Sequence, residues 1–376
     1  MPAHAFLSAA HLIKFGKRPE RLLELLAEAG RGALERAASS PPDLLVVGVM
    51  DPEGFDGQGN IAAALAHELR ISGVHGLAVE TAMSTGAAAL HVAVNAVASG
   101  SAEKALVVAG EKMTHLPVPK VAGMLARALA PQERALGGTM PAMAAMLSRA
   151  YLEENLHASD DLACLAMKAH RNGAKNPFAH LSNPLTEKEY REARVISSPL
   201  RLFDIAPISD GACAVIVERK GDVRVAGIGG ATDPLPVSAR ESLSSSKAMR
   251  LAGERAMRMA GASPSSLDVA EIHDAFTPFE AMASEDLGLF DRGGGLKAAI
   301  RGETDFGGKV VINPSGGLKA RGHPVGASGL AQVCELYLQL AKQAGGLQVD
   351  GARRALAASV GGILANNLVT VLEAAS

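Results

Sequence analysis

The sequence predicts an α/β fold, in which buried strands alternate with helices. Short apolar runs such as DLLVVGVM, KALVVAG and CAVIVER recur along the chain and are bounded by Gly or polar residues. Segments rich in Ala and Leu lie between these runs. Runs without polar alternation are typical of strands that are buried on both faces of a sheet, and their alternation with helices indicates layers of helix and sheet.

Each predicted strand is an apolar run rich in β-branched residues that is bounded by Gly or polar residues. In chain order the runs are DLLVVGVM, KALVVAG, CAVIVER, VRVAGIGG, VAEIHDAF, KVVINPSG and NLVTVLE. The predicted helices are Ala- and Leu-rich segments between these strands: Ile61 to Ile71, Ala87 to Ser99, Ser246 to Ala260 and Ala327 to Gln343. The small side chains of the second helix indicate that other backbone packs closely against it.

The two ends of the chain have the same order of elements, which predicts an internal duplication. A strand, a turn, a small-residue helix and another strand occur from Val79 to Gly110 and again after Val310. We therefore predict an N-terminal half at 1–222 and a C-terminal half at 223–376. Residues 113–198, with HLPVPK and RNGAKNPFAHLSNPLTEKEY, interrupt the alternation of strands and helices. They predict an inserted loop domain that covers a ligand.

Composition excludes several classes of function. Of the 376 residues 48% are hydrophobic and 20% are charged, and the formal net charge is -2, so a nucleic-acid surface is not expected. No apolar run reaches the roughly 18 to 20 residues of a membrane span, and charges interrupt MPAHAFLSAAHLIKFGKRPE where a signal peptide is continuous. Cys164, Cys213 and Cys334 have neither paired nor metal-ligand spacing. We expect a cytoplasmic protein without a metal site.

The stretch VETAMSTGAAALHVAV, from Val79 to Val94, predicts a strand end, a tight turn and a helix. The amides and macrodipole at such a helix N-terminus stabilise negative charge, which suits a nucleophile. Met83 stands at this turn, and a thioether has no proton to lose. The sequence therefore predicts a nucleophile position without a nucleophile.

Four motifs, in the right order, resemble those of the thiolases, in particular the sterol-carrier-protein type and the acetyl-CoA acetyltransferase branch. The resemblance extends from about residue 40 to the C-terminus. The motifs are AMSTG at Ala82, PLRLFDIAPISDGACAVIV at Pro199, AEIHDAFTPFEAMASEDLGL at Ala270 and NPSGGLKARGHPVGASG at Asn313.

This resemblance implies a five-layered αβαβα sandwich of two similar halves, with a loop domain that holds coenzyme A. It also implies a homodimer or a dimer of dimers, with acyl-CoA as substrate or ligand and no permanently bound cofactor. A zinc-ribbon or OB-fold protein is the kind of partner that it suggests.

The resemblance places Met83 where thiolases have the nucleophilic Cys, and His273 and His323 at the two catalytic His positions. The second catalytic Cys corresponds either to Ser359, in Ser359-Val360-Gly361, or to Ala275. Both candidate positions lack a thiol. Thiolytic transfer needs a thiolate that attacks the acyl carbonyl and later leaves, so thiolytic activity is not expected.

The remaining groups predict stabilisation of a thioester enolate. His273 and His323 are expected to donate two hydrogen bonds to one thioester oxygen, and the amides of Met83 and Gly361 form a second oxyanion pocket. Asn313 is expected to orient the His residues and the turn, as is Asp274.

Other nucleophiles and ligand contacts are less well supported by the sequence. Ser84 is expected to cap the helix, and Thr85 points in another direction on the same turn. The three Cys lie in apolar patterns that are typical of buried thiols. The insertion also carries His115, Lys120 and Arg127. Two interpretations stay open for these residues: they contact the phosphates of coenzyme A, or they are loop residues that contact only solvent.

Three functions therefore stay open. The first is an enzyme that uses the two His for C–C bond chemistry on acyl-CoA, as in an aldol, retro-aldol or decarboxylation step. The second is a CoA-binding subunit without chemistry of its own, in a heteromeric complex. The third is an ordinary acyltransferase with another nucleophile. Superfamily members that catalyse retro-aldol cleavage use Tyr, whereas Tyr151, Tyr190 and Tyr337 lie outside the four motifs.

Overall fold

A single mixed sheet runs through the molecule, whose structure is a computed structural model that describes residues 5–37 and 41–375. In that part of the chain ten strands form it, in the spatial order β10-β9-β11-β12-β8-β1-β7-β4-β2-β3. A separate pair, β5 and β6, lies in the inserted segment. The strands are β1 (Ala5–Leu12), β2 (Leu44–Gly48), β3 (His75–Val79), β4 (Lys104–Glu111), β5 (Val195–Ser197), β6 (Leu200–Arg201), β7 (Gly211–Glu218), β8 (Val223–Thr232), β9 (Val269–Ile272), β10 (Val311–Ile312), β11 (Arg354–Gly361) and β12 (Asn366–Ala374).

The two halves of this sheet repeat one topology. If the strands of each half are numbered along the chain, without the inserted pair, both halves have the order 3-2-4-5-1. The directions also agree. The strands β3-β2-β4 and β10-β9-β11 pair parallel with one another, and the other two strands of each half pair antiparallel with their neighbours in the sheet. The predicted duplication is confirmed by this repeated order.

The halves meet through β1 and β8, which pair antiparallel over three residues. Neither β1 nor the helix that follows it was predicted from the sequence, since Ser8 and His11 interrupt the apolar run AFLSAAHL. β7 and β8 follow each other across a short turn at residues 219–222. The predicted boundary between residues 222 and 223 lies at the end of this turn and stays a prediction.

Helices cover both outer faces of the sheet and fill the space between its halves. α1 and α3 pack on the N-terminal half, α4 and α14 pack against each other in the centre, and α10 packs on the C-terminal half. The five-layered α/β arrangement is therefore as predicted. The helices are α1 (Leu22–Ala37), α2 (Pro52–Asp56), α3 (Ile61–Glu68), α4 (Thr85–Ser99), α5 (Val118–Leu125), α6 (Pro131–Ala135), α7 (Met140–Glu154), α8 (Ala163–Gly173), α9 (Glu187–Glu192), α10 (Lys247–Ala260), α11 (Pro278–Asp286), α12 (Gly295–Ile300), α13 (Gly317–Arg321) and α14 (Ser328–Leu340).

The contact between α4 and α14 depends on small residues. A Cβ added to Gly86 would lie 2.8 Å from the carbonyl oxygen of Gly326 and 2.8 Å from the amide nitrogen of Leu330. A Cβ on Gly329 would lie 2.8 Å from the amide nitrogen of Ala87. These distances are too short for a side chain, so the glycines set how closely the two halves approach.

We expect Gly86→Ala to lower the free energy of unfolding by about 1–3 kcal/mol, because the added methyl group meets backbone atoms that cannot move aside. Urea denaturation measures this loss. Gly123→Ala is the matched control, since a Cβ at this exposed position of α5 meets nothing within 4 Å. It should stabilise the helix by up to about 1 kcal/mol. Equal stability of the Gly86 variant and the native protein would contradict the close packing.

The inserted segment lies between β4 and β7 and contains α5 to α9 with the β5–β6 pair. A buried ion pair fixes its base, since Lys112 donates to Asp210 at 2.8 Å. Asp210 also accepts from the amides of Met113 and Thr114. No helix within residues 5–37 and 41–375 combines the length and apolar character that crossing a membrane requires.

Candidate active site

Met83, His273 and His323 line one cavity of about 530 Å³, which we call the histidine cavity. His273 follows the carboxyl end of β9, Met83 precedes α4, and His323 follows α13. Each comes from a different sequence motif, and only the fold brings them together. The inserted segment supplies another part of the wall through Val118, Ala122, Leu125, Met140, Pro141, Leu181, Arg194 and Ile196.

The segment that leads out of the insertion runs beside both histidine loops. The amide of Ala206 donates to the carbonyl oxygen of Ala275 at 2.9 Å, and Ile208 forms a parallel bridge with His323. Ile205 forms a bridge with Phe276. The position of the insertion is therefore tied to the positions of the two histidines.

Met83 sits on a sharp turn and is buried, with 3% of its surface exposed. The preceding residue, Ala82, has φ 54°, a left-handed conformation that residues with a Cβ adopt rarely. Met83 belongs to the same buried apolar cluster as Met113, Met140 and Met143. This local geometry resembles a strained turn that displays a nucleophile, but the displayed group is a thioether.

The hydroxyls next to Met83 are used within the turn. Ser84 donates to the carbonyl oxygen of Thr81 at 2.7 Å, and Thr85 donates to the carbonyl oxygen of Ala82 at 2.6 Å. Ser84 occupies the N-cap position of α4, but its side chain accepts no bond from the helix amides. The expectation that its hydroxyl caps the helix was wrong, because the side chain is directed back to Thr81, where it donates to the carbonyl oxygen, and away from the helix amides.

The ring of His273 is fixed by a backbone donor. Its Nδ1 accepts the amide proton of Val360 at 3.3 Å, so this nitrogen carries no proton. The neutral ring therefore has its proton on Nε2. The protein that the structure describes offers no hydrogen-bond partner to this Nε2–H, which is left for a ligand in the cavity.

The ring of His323 has the opposite tautomer. The hydroxyl of Ser328 donates to the carbonyl oxygen of Pro324 at 2.9 Å, so its oxygen is an acceptor for Nδ1 of His323 at 2.6 Å. Nδ1 thus carries the proton, and Nε2 has a free lone pair. The two rings meet edge to face, with 5.2 Å between their centroids.

Both histidines are neutral at pH 7. Burial lowers the pKa of His323 to about 3, and the Arg321 guanidinium lowers it further in the same direction. Burial also lowers the pKa of His273 well below its ordinary value, with smaller contributions from His323 and Arg321. The cavity therefore presents one hydrogen-bond donor and one hydrogen-bond acceptor. This differs from the sequence-based expectation of two donors, which did not include the partners of each Nδ1.

We expect His323 to make stability depend on pH. Its folded pKa is about 3 and its ordinary value is 6.5, so its contribution is complete above pH 6.5 and is lost as the pH falls toward 3. Between pH 7.5 and 5 the free energy of unfolding should fall by about 2 kcal/mol more in the native protein than in His323→Asn. Denaturation at both pH values measures this, with the exposed His67→Asn as control. Parallel pH profiles for native protein and His323→Asn would exclude a buried neutral His323.

Asn313 and Asp274 hold the histidine loops without lining the cavity. Asn313 accepts from the amide of Ile272 at 2.7 Å and donates to Glu280 at 3.0 Å. The Asp274 carboxylate accepts from the amide of Leu318 at 2.6 Å, and burial raises its pKa to about 7. Both residues are therefore placed to orient backbone around the site.

Of the two positions expected for a second thiol, Ala275 and Ser359, only Ala275 lines the histidine cavity. Ser359 is buried in β11 near Gly329, and its hydroxyl has no hydrogen-bond partner among the described residues. Gly361 packs against the Met83 turn, because a Cβ there would lie 2.4 Å from the carbonyl oxygen of Thr81. The role of its amide as an oxyanion donor stays a prediction.

The other reactive side chains lie elsewhere. The described wall of the histidine cavity contains no Cys, Ser, Thr or Tyr. Burial raises the pKa of Cys164 to about 12 and that of Cys334 well above its ordinary value. The three tyrosines donate to buried or partly buried acceptors outside the cavity: Tyr151 to Glu285, Tyr190 to Asp204 and Tyr337 to Asp222. Residues 5–37 and 41–375 contain no cluster of His, Cys, Asp or Glu suited to a metal ion.

The three cationic residues expected near coenzyme A do not come together. His115 lines a surface groove with Arg18, and Lys120 is exposed on α5. Arg127 lines a neighbouring cavity that shares Gly362 with the histidine cavity, and it pairs with Asp51 at 3.0 Å. None of the three lines the histidine cavity.

Sequence reasoning missed several lining residues. Phe203, Phe276 and Phe279 form apolar wall, and the charged residues of the described wall are Lys319 and Arg194. Lys319 lies within the motif NPSGGLKARGHPVGASG, where its charge among small residues was an available signal. The phenylalanines carry no such signal, because apolar residues are equally common in any core.

Two family models match the chain. The model described as "Thiolase, N-terminal domain" matches residues 7–221, and "Thiolase C-terminal domain-like" matches residues 229–374. The chain is 34% identical over 351 residues to an acetyl-CoA acetyltransferase of Methanothermobacter thermautotrophicus, covering 90% of this chain and 91% of that protein. It is 30% identical over 366 residues to human sterol carrier protein 2, covering 90% of this chain and 65% of that protein.

Solved structures have the same fold. The structure titled "Ltp2-ChsH2(DUF35) aldolase" aligns with a TM-score of 0.84 and 23% identity, over 99% of this chain and 98% of that chain. Human mitochondrial 3-ketoacyl-CoA thiolase aligns with a TM-score of 0.74 and 16% identity, over 99% of each chain.

Proposed function

This chain belongs to the thiolase family, and from that membership we propose that it binds acyl-CoA thioesters and promotes C–C bond chemistry through a thioester enolate, without a covalent acyl-enzyme. The observation that carries the proposal is the histidine cavity itself. It has one neutral hydrogen-bond donor and one neutral base, and its wall includes Met83, which the motif resemblance assigns to the nucleophile position.

The proposed step is a proton transfer at the carbon next to the thioester carbonyl. The free lone pair on Nε2 of His323 takes the proton, so a C–H bond breaks and an N–H bond forms. The electron pair of the C–H bond moves into the enolate, whose oxygen accepts a hydrogen bond from Nε2–H of His273. The enolate carbon then attacks a second carbonyl in an aldol step, a C–C bond forms, and the alkoxide takes the proton back from Nε2 of His323. The reverse sequence cleaves the same bond.

Burial of the two histidines favours proton transfer to His323 only when substrate is bound. A charged His323 ring is unfavourable in the empty cavity, as its pKa of about 3 indicates. The enolate oxygen supplies a negative charge beside the ring and stabilises the imidazolium that forms. Apolar wall such as Phe276 and Phe279 excludes water that would weaken this attraction.

The inserted segment is proposed to hold the coenzyme A part of the substrate. α5, α7 and the segment around Arg194 line the same cavity as the histidines, so a thioester held at His273 would lie within reach of the inserted segment. Such a concave, mostly apolar cavity with few polar groups is typical of a small-molecule site.

Binding and exchange test this proposal. Calorimetric titration with coenzyme A and acetyl-CoA should give heat, and the methyl protons of bound acetyl-CoA should exchange with deuterium in heavy water, as followed by mass spectrometry. Absence of binding to both compounds would overturn the proposal. Binding without exchange would favour the second function below.

A second function is a CoA-binding subunit of a heteromeric complex. The observation that favours it is the exposed apolar surface beside the cavity, where Val118 is 65% and Leu202 is 48% exposed. The aligned aldolase structure is titled with a DUF35 partner. A zinc-ribbon or OB-fold protein is the partner to test, and exchange that occurs only after its addition would support this function.

A third function, an ordinary acyltransferase with another nucleophile, needs a covalent acyl-enzyme. Incubation of native protein with acetyl-CoA, followed by intact mass measurement, would detect one. The described cavity wall contains no thiol or hydroxyl side chain, so we expect no added acetyl group.

We also propose a homodimer that forms through β3 and the adjacent α4. β3 is the edge strand of the N-terminal half, and its residues are exposed or half-buried rather than covered. Exposed edge strands pair readily with another chain. Sedimentation velocity at micromolar concentration should give the mass of a dimer, and a monomer would contradict the proposal.

A further inference from the structure

Lys319 is a buried lysine in the wall of the histidine cavity. It lies on α13, only 2% of the residue is exposed, and it lines the cavity together with His273 and His323. The nearest aromatic contact is Phe203, whose ring centroid lies 5.9 Å from Nζ. The mechanism above does not use this group.

Its ammonium has no hydrogen bond or ion pair with the residues that the structure describes. The contrast with two other buried lysines is clear, because Lys112 pairs with Asp210 at 2.8 Å and Lys168 pairs with Glu280. Buried charges in proteins are ordinarily paired, since an unpaired charge loses its hydration without compensation. Lys319 therefore lacks the counterion that its surroundings require.

The nearby carboxylates are already engaged. Asp204 accepts from the hydroxyls of Tyr190 and Thr277, and Asp274 accepts from the amide of Leu318. Both raise the pKa of Lys319 from a distance, but burial lowers it more, to about 8, so the amine stays mostly protonated at pH 7. The described wall of the cavity contains no Asp or Glu.

We infer that Lys319 binds a carboxylate on the acyl part of the substrate while the thioester carbonyl lies at the histidine pair. The inference rests on the proposed function and specifies its substrate class: acyl-CoA thioesters whose acyl chain carries a carboxylate. The substrate carboxylate supplies the missing counterion inside an apolar cavity, where a charge-assisted hydrogen bond is strong. Arg194, the other cationic residue of the wall, is exposed and keeps its hydration.

The test compares pairs of thioesters of equal carbon number by calorimetry: succinyl- with butyryl-CoA, glutaryl- with pentanoyl-CoA and adipoyl- with hexanoyl-CoA. In at least one pair the native protein should bind the dicarboxylic thioester about tenfold more tightly or better. Lys319→Met should lose this preference and retain its affinity for the monocarboxylic thioester. Lys319→Arg should keep part of the preference, and the exposed Lys188→Met should keep all of it.

The outcomes separate this inference from the proposed function. Equal affinities within every pair for the native protein, or a preference that survives in Lys319→Met, would overturn the inference but leave the function intact. Failure of all thioesters to bind would overturn the function first. Acylation of Lys319 by any of these thioesters, detected by intact mass measurement and peptide mapping, would also overturn the inference, because the amine would then attack the thioester carbonyl, form an amide and release coenzyme A. The native protein's own preference tests the inference even if Lys319→Met does not fold.

Discussion

Met83→Cys should gain one acetyl group on incubation with acetyl-CoA, whereas the native protein should remain unmodified. The turn at Ala82, the start of α4 and the free Nε2 of His323 are all in place around position 83. A thiol there meets a base that accepts its proton and a helix N-terminus that stabilises the thiolate. The thiolate attacks the acetyl carbonyl, and coenzyme A leaves with the proton.

Intact mass spectrometry measures the result as one added acetyl group. Adding His323→Ala to Met83→Cys should remove the modification, because the base is lost. Met143→Cys is the matched control, since Met143 is buried in the same cluster but does not line the cavity. Acetylation of the native protein would instead support the third function, an ordinary acyltransferase with another nucleophile. An unmodified Met83→Cys that still binds acetyl-CoA would favour the subunit without chemistry of its own.

Replacement of His273 should have the second large effect. We expect His273→Ala to slow deuterium exchange into acetyl-CoA by about 10²–10³-fold, the usual cost of removing one donor to a developing oxyanion. The dissociation constant for acetyl-CoA should change much less, because the donor acts mainly on the enolate.

His273→Asn should recover part of the rate, since its amide can donate a hydrogen bond from nearly the same place. The exposed His67→Ala controls for loss of a histidine elsewhere. An exchange rate in His273→Ala equal to that of the native protein would remove His273 from the chemistry. Equal losses of rate and of binding would assign it to substrate binding alone.

Much of the architecture was predictable, because it depends on local patterns. The apolar runs from DLLVVGVM to NLVTVLE correspond to strands, and the repeated order of elements anticipated the repeated 3-2-4-5-1 topology. β1 escaped prediction because Ser8 and His11 interrupt its apolar pattern. Its place between the halves is a tertiary feature, since its partners β7 and β8 lie more than 200 residues further along the chain.

The convergence of Met83, His273 and His323 was likewise predicted from motif resemblance, and the cavity contains all three. The expected phosphate contacts were less successful, because His115, Lys120 and Arg127 are close in sequence but lie on different surfaces. Spacing along an irregular segment does not determine direction, so only the packing of α5 on its neighbours decides where each side chain lies.

The fold class, the absence of a thiol at position 83 and the choice of the two histidines followed from the order of the amino acids alone. The chemistry open to those histidines depends on folding, because a tautomer depends on the partner of each ring nitrogen. His273 is protonated on Nε2 because Val360, 87 residues away, donates to its Nδ1 across β9 and β11. Lys319 lacks a counterion for the same kind of reason, since hydrogen bonds and ion pairs form between residues that only folding brings within about 3 Å.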